Sequence, residues 1–269
     1  MASLFNSLFM YPAIQKTLFF TFFLMFGFPA LSQTTIENKD AEEMNVDMPD
    51  ETVETDVVDK RQLQLEGAVL YNRFEQFPNS LIGQMLVRYG MTKHLELRLL
   101  VEDGKERDKY IEETVQSNFP LAVGFKYNLL KDHNWIPDIT LATTVKLPFT
   151  SREHEQNAYW SPILLLAFQN KLSEKWKLEY NGGAQQEAYS SEWVWILNGS
   201  VHYKLAKPLE IFVEYYAQFE STQDPQHNLG GGLAYQINNQ FEVYASGGSS
   251  VDYINHNYFF SAGCAFRTH

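Results

Sequence analysis

The sequence is poor in several features that would fix a function class. Its one cysteine, Cys264, allows no disulfide within a chain. Lys and Arg number 21 against 33 Asp and Glu, a net charge of −12. Since binding to a phosphate backbone needs clustered Lys and Arg, we expect no nucleic-acid partner.

Long apolar runs are also lacking beyond the N-terminal end. Residues 163–168 form one of the longest later runs, far short of the roughly 20 residues of a transmembrane helix. Near the start, Lys16 precedes an apolar run at residues 17–29, followed by Ala30, Leu31 and Ser32. This order predicts a secretory signal peptide over residues 1–32. The alternative, a membrane anchor, would need a longer run.

Residues 33–60 are acidic, and only Lys39 and Lys60 oppose the carboxylates. The stretch has no aromatic residue and carries Pro49 in its middle, so we expect it to bury no core. The sequence predicts a flexible, solvated N-terminal segment before the first strand. The alternative is a tail that attracts cations or enters a barrel lumen.

Residues 208–220 show the pattern that organises the remaining chain. Apolar and polar residues alternate with a period of two, which is typical of a β-strand with two different faces. The stretch is long enough to cross a bilayer as a tilted strand, which takes about 9–11 residues. The face predicted to contact lipid comprises Leu209, Ile211, Val213, Tyr215, Ala217 and Phe219.

The same alternation returns along residues 61–269 and defines about twelve strands. Longer polar connections (74–80, 103–118, 149–159, 188–192, 221–227 and 249–256) alternate with mostly short ones (90–94, 130–135, 172–175, 205–207 and 238–239). Outer-membrane barrels have this asymmetry, and their aromatic girdles fit the 15 Tyr and 20 Phe. We therefore predict an all-β fold, an antiparallel up-and-down transmembrane β-barrel with short periplasmic turns and longer outer loops.

The chain resembles the outer-membrane barrel family described as "putative MetA-pathway of phenol degradation" over about residues 47–267. The resemblance rests on DMPDET (47–52), QLQLE (62–66), VRYGMT (87–92), LELR (95–98), GFKY (124–127), FVEYY (212–216), HNLGGG (227–232) and YFFSAG (258–263). It implies a place in the outer membrane of a Gram-negative-type cell. It also implies transport of small, including aromatic, compounds.

The strand faces opposite the apolar ones carry mixed charges. If the apolar faces contact membrane lipid, these charges line the lumen, either along a solute path or as ion pairs that tie the interior together. The predicted lumen-lining residues are Arg88, Glu96, Arg98, Glu102, Lys126, Lys146, Lys177, Glu179, Lys204, Glu210, Glu214 and Arg267.

A catalytic function has little support in the sequence. Ser200 and His202 share a strand face, but residues two apart lie about 6–7 Å apart, which predicts no hydrogen bond between them. The other histidines fall in predicted turns, loops or the terminus. The sequence has no HExxH, CxxC or glycine-rich phosphate loop, so we expect no cofactor, metal site or catalytic residue.

The sequence therefore favours a passive outer-membrane channel or transporter for small, including aromatic or hydrophobic, solutes. Two alternatives stay open. One is a closed barrel that acts as a structural or binding protein through its outer loops. The other is a lipid-modifying outer-membrane enzyme.

Overall fold

The fold is one antiparallel β-sheet of long strands. The computed structural model describes residues 44–48, 51–74, 79–107, 114–118, 120–131, 136–150, 159–188, 192–221, 224–251 and 257–268. The strands are β1 Leu63–Phe74, β2 Ser80–Gly90, β3 Leu95–Arg107, β4 Thr114–Asn118, β5 Ala122–Leu130, β6 Asp138–Lys146, β7 Ser161–Lys171, β8 Trp176–Gln186, β9 Trp193–Ala206, β10 Leu209–Glu220, β11 Gln226–Asn238, β12 Phe241–Ser250 and β13 Asn257–Arg267. None of the helices in these ranges is long and apolar enough to cross a membrane.

The sheet closes into a barrel because β1 pairs with both β2 and β13. The short β4 and the longer β5 both pair with β3, so together they fill one position in the ring. Pro120, which has no backbone N–H, lies between them. The thirteen strands therefore form a closed barrel of twelve positions, and the predicted fold class is confirmed.

The predicted alternation matches the two faces of the wall. On β10, Val213 is 65% exposed on the outside whereas its neighbour Glu214 is 2% exposed on the inside. The structure also fixes β7, whose sequence is apolar on both faces. Leu164 and Leu166 face outward, and Leu165 and Ala167 are buried inside. The outer surface is thus an apolar band, and the interior is largely polar.

One predicted connection, residues 103–118, differs from the structure. β3 continues to Arg107, and β4 pairs with it from Thr114. Strand pairing uses backbone groups, so a charged stretch can extend a sheet without an apolar face. The alternation criterion missed this extension because it needs an apolar face.

The largest departure from expectation concerns residues 44–48 and 51–60, which we call the inner segment. Asp47, Thr52, Glu54, Thr55 and Val58 are buried, and the segment lies against inward-facing side chains. The prediction of a flexible, solvated linker is wrong for these residues, because the wall supplies partners for their backbone and carboxylate groups. These residues instead lie inside the barrel, as in the alternative prediction of a tail that enters the lumen. Residues 1–43 lie outside the described residues.

The inner segment joins β1 through a tight turn at Arg61, whose φ is 70°. The Arg61 N–H donates to the Gly90 carbonyl at 2.7 Å, and Lys60 forms a bridge with Gly90 at the end of β2. A Cβ atom on Gly90 would lie 2.0 Å from the Asp59 carbonyl oxygen. Glycine at this position therefore lets the segment pass close to the wall as it enters the lumen.

Candidate functional site

Residues 51–60 of the inner segment follow the inside of the wall from β10 back to β2. The Glu51 N–H donates to the Glu214 Oε2 atom on β10 at 2.9 Å, and the Asn198 amide on β9 donates to the Glu51 carbonyl at 2.6 Å. Asn181 on β8 exchanges two hydrogen bonds with the backbone of Val53, at 2.6 and 2.9 Å. Wall side chains thus make the hydrogen bonds to the segment backbone that a neighbouring strand makes in a β-sheet.

The same path continues around the barrel. The Thr55 hydroxyl donates to the Gln169 Oε1 atom on β7 at 3.0 Å. The backbone carbonyl of Thr55 accepts from the Thr140 hydroxyl on β6 at 2.8 Å. The Val58 N–H then donates to the Glu96 Oε2 atom on β3 at 2.8 Å. The inner segment thus lies along the inside of the wall and narrows the lumen. Side chains of successive strands hydrogen-bond to its backbone N–H and carbonyl groups.

Asp47 is the best-anchored carboxylate of the segment. Its Oδ2 atom lies 2.8 Å from both Lys126 Nζ and Arg98 Nη2, and 3.8 Å from Arg88 Nη2. Burial alone would raise the pKa of Asp47, but the charges of Arg88, Lys126 and Arg98 hold it well below its usual range. Asp47 is therefore ionised at every physiological pH.

Arg88 connects this cage to two wall carboxylates. Its guanidinium lies 2.7 Å from Glu66 Oε1 and 2.8 Å from Glu96 Oε1, and all three side chains are 0% exposed. With Asp47 the cluster holds three carboxylates, and Arg88, Arg98 and Lys126 supply three cations. We call these six residues the Asp47 cluster. Its charges balance, as burial requires.

A second buried cluster surrounds Lys177. Its Nζ atom lies 2.7 Å from Glu54 Oε1, 3.2 Å from Glu179 Oε1 and 3.8 Å from Glu210 Oε1. Here three carboxylates surround one ammonium, and two of them, Glu179 and Glu210, also contact His202. Burial, reinforced by the Glu179 charge, therefore raises the pKa of Glu54 well above its usual value in spite of Lys177.

The two anchors of the inner segment thus respond differently to pH. When the inner segment lies bound to the wall, the pKa of Glu54 is raised. The bound position is therefore favoured below the ordinary carboxyl pKa, and its stability falls as the pH rises toward the raised value. We expect the amide protons around Val53 to exchange faster at pH 8 than at pH 5 after correction for intrinsic rates. Glu54→Gln should flatten this dependence and slow exchange at pH 8.

Hydrogen-exchange mass spectrometry of the reconstituted barrel checks this prediction. Asp59→Asn serves as the matched control, since Asp59 is an exposed acid of the same segment. A Glu54→Gln protein with the wild-type pH profile would contradict the assignment.

Ser200 and His202 require a correction. Ser200 Oγ lies 2.8 Å from His202 Nε2, and His202 Nδ1 lies 2.7 Å from Glu210 Oε1. The prediction that the two side chains do not meet is wrong. The spacing of about 6–7 Å separates Cα atoms on one face, and the histidine side chain spans that gap.

This row of Ser200, His202 and Glu210 resembles a hydrolase triad, but a fourth group changes its chemistry. Glu179 Oε2 lies 3.2 Å from the same Nε2 atom that faces Ser200. The negative charge of Glu179 beside Nε2 favours the protonated ring of His202, in which both nitrogens are donors and Nε2 cannot take the Ser200 proton.

We therefore expect the purified barrel to hydrolyse a short-chain p-nitrophenyl ester no faster than its Ser200→Ala variant. Ester turnover that Ser200→Ala removes and Ser200→Thr retains would instead reveal a working triad.

The sequence-predicted lumen residues all lie on the inner side of the wall, in several groups. Arg88, Glu96, Arg98 and Lys126 belong to the Asp47 cluster, whereas Lys177, Glu179 and Glu210 surround Glu54 and His202. Of the remaining five, Glu214 accepts from the Glu51 backbone, Glu102 pairs with Lys146 at 3.5 Å, Lys204 stands opposite Glu210, and Arg267 donates to the Asn239 carbonyl. Their contact with a solute stays a prediction.

Sequence reasoning missed Glu66, Asp47 and Glu54. Glu66 carried a readable signal, since it alternates with Leu65 and Gly67 on the face shared with Gln64. Asp47 and Glu54 lie in an irregular stretch without periodicity, where one acidic residue looks like another. Only the wall that surrounds them distinguishes them.

A cavity of about 640 Å³ opens at the end of the barrel that carries the short turns. The inner segment borders it through Asp56, Val57 and Val58. Six cationic side chains outside the Asp47 cluster also line it (Lys131, Lys171, Lys175, Lys177, Lys204 and Arg267), together with four carboxylates (Asp56, Asp59, Glu174 and Glu210). The lumen is thus narrowed by the segment and retains an open end lined by charges of both signs.

Solved outer-membrane barrels share this fold. The COG4313 outer membrane channel from Pseudomonas putida F1 aligns with 87% of this chain and 100% of its own length, at 13% identity and a TM-score of 0.57. The KdgM porin aligns with 76% of this chain and 99% of its own, at 12% identity and a TM-score of 0.54. The NanC porin aligns with 75% and 98%, at 10% identity and a TM-score of 0.55. At these identities the likeness establishes the fold.

No curated protein matches the chain. A family model does match, over residues 47–268, which includes the inner segment from Asp47 onward as well as the whole barrel. The chain therefore belongs to the family described as "Putative MetA-pathway of phenol degradation".

Proposed function

We propose that this protein is a passive outer-membrane channel for small solutes, with apolar and aromatic compounds as the favoured class. The observation that carries the proposal is the closed wall, apolar outside and polar inside, around a lumen that an anchored segment narrows without filling its short-turn end. Such a wall satisfies all backbone groups in hydrocarbon and leaves inward side chains to select solutes.

The location follows from the same surface. Exposed Leu, Val, Trp and Phe side chains around the wall, Trp195 at 65% among them, would cost free energy in water and are favourable against lipid. The predicted signal peptide over residues 1–32 would export the chain, and the predicted orientation puts the short turns in the periplasm. Relatives named as outer membrane channel and porin support this placement.

The solute class draws on the family and on the lumen. The family description refers to phenol degradation, and the name of the P. putida relative is that of a channel. The interior joins a charged wall on β2, β3, β5, β8 and β9 to a mixed one on β10, β12 and β13, where Phe212, Tyr244 and Phe259 are buried together with Glu214 and Glu242. An aromatic solute with one polar group would find partners on both walls.

Flux through the purified barrel tests the proposal. Planar bilayers should show small, voltage-independent conductance steps, and liposomes should take up p-cresol faster with the barrel than without it. The predicted lumen charges give a second readout, because Lys146→Gln, which breaks the pair with Glu102, should shift ion selectivity toward cations. A barrel that shifts in gel mobility on heating, yet passes neither ions nor p-cresol, would favour the closed structural or binding protein instead.

A further inference from the structure

The start of the inner segment is apolar where it contacts the wall. Met44 and Val46 are each 4% exposed and pack with Ala68, Tyr244 and Ala265, while Met48 and Ala234 border the cluster. Four strands contribute: β1, β11, β12 and β13. We call the wall part of this cluster, formed by Ala68, Ala234, Tyr244 and Ala265, the Tyr244 site.

The Tyr244 site is built as a flat platform. The Tyr244 ring lies over Gly263, where an added Cβ atom would be 2.5 Å from ring atom Cε2. The Tyr244 hydroxyl donates to the Gly67 carbonyl at 3.1 Å, which fixes the ring against the wall. With alanines on both sides, the exposed surface of this platform toward the lumen would be apolar and planar.

A neighbouring ring repeats the arrangement. Phe212 lies over Gly232, where a Cβ atom would be 2.6 Å from ring atom Cζ. Phe212 also lines a cavity of about 40 Å³ together with Met44, Val46 and Ala234. The inner segment therefore covers the platform without filling the space beside it.

We propose that the Tyr244 site binds an apolar or aromatic solute, and that Met44 and Val46 occupy it when no solute is bound. Solute and segment then compete for the same surface. This inference rests on the proposed channel function and adds a defined site and a regulated occupant to it. A methionine is the appropriate occupant, since its flexible thioether packs well on an aromatic ring and leaves it readily.

The hydrogen bonds and ion pairs of the inner segment determine which of its residues a bound solute would displace. The Asn45 carbonyl accepts from Gln64 at 2.7 Å and from Arg88 at 2.9 Å, and these two bonds must break when Met44 and Val46 leave. Asp47 and the chain beyond it are held independently by the Asp47 cluster. A solute on the platform would therefore detach residues 44–46 and leave residues 51–60 on the wall.

The test measures p-cresol binding to the full mature chain in nanodiscs by saturation-transfer NMR, with empty nanodiscs subtracted. We expect saturable binding and faster amide exchange in residues 44–46, but unchanged exchange at Val53 and Val58. The double variant Met44→Gln/Val46→Gln should bind p-cresol at least about fivefold more tightly, because its segment occupies the site less often. Val57→Gln, a similar change elsewhere in the segment, should bind like the wild type.

Tyr244→Ser should abolish saturable binding while the barrel keeps its heat-dependent gel shift. Binding with unchanged exchange at residues 44–46, equal affinity of the Met44→Gln/Val46→Gln variant, or binding that survives Tyr244→Ser in a folded barrel would each overturn the proposal. Loss of flux with competitive binding intact would overturn the channel function and leave the site standing.

Discussion

Deletion of residues 33–58 should raise the single-channel conductance several-fold. The inner segment follows the wall from β10 to β2 and occupies lumen cross-section along that path. The conductance of a barrel grows as its open cross-section grows, and twelve strands enclose room beyond what wall side chains fill. The barrel itself should persist, because β1 closes the ring with β2 and β13 without help from the segment.

Planar-bilayer recording of the deletion variant measures this effect. A shorter deletion, of residues 33–43, is the control, since it leaves the chain from Met44 onward in place and should conduct like the wild type. Equal conductance of the two deletion variants would refute an occluding role of the inner segment. A loss of the heat-dependent gel shift would show that the segment is needed for the barrel.

Asp47→Asn should release the first part of the inner segment. The change keeps the shape of the side chain but leaves Arg88, Arg98 and Lys126 facing only Glu66 and Glu96. Removing one partner from a buried ion cluster costs about 3–5 kcal/mol, since the remaining charge stays uncompensated. Opening of the segment should then become more than about a hundredfold more frequent.

Amide exchange of Asp47 and Met48, whose N–H groups donate to Glu66, reads this opening directly. The barrel strands should keep their protection, because water can enter and solvate the three cations. Asp59→Asn is again the control. Wild-type exchange in Asp47→Asn would mean that hydrogen bonds, not the carboxylate charge, hold the segment.

The barrel was predictable because its wall repeats one simple rule. Along β10, every second residue from Leu209 to Phe219 is apolar, and the structure puts Leu209–Glu220 in a single strand that faces both ways. Period-two patterning determines which side chains face in, so Glu214 and Lys126 could be assigned to the interior from sequence. β7 escaped this rule, since its inner face carries Leu165 and Ala167.

The inner segment was unpredictable for the same reason. It has no regular period, and its stability comes from contacts with strands far away in sequence, such as Glu51 with Glu214. Acidic composition indicated solvation, but Asp47 is buried because Lys126 and Arg98 are brought to it by β5 and β3. For Ser200 and His202, the error lay in using backbone spacing where side-chain length decides the contact.

The order in which the inner segment meets the wall has a consequence for how this protein assembles. The segment is made before any strand, yet its hydrogen-bond partners range from Glu66 on β1 to Glu214 on β10, up to 163 residues away, and its start packs with Ala265 on β13. Such distant contacts form late, because the intervening chain must first be ordered. The segment can therefore complete its contacts only when β13 is in the sheet, so each new barrel passes through a stage in which its lumen is wide before it becomes narrow.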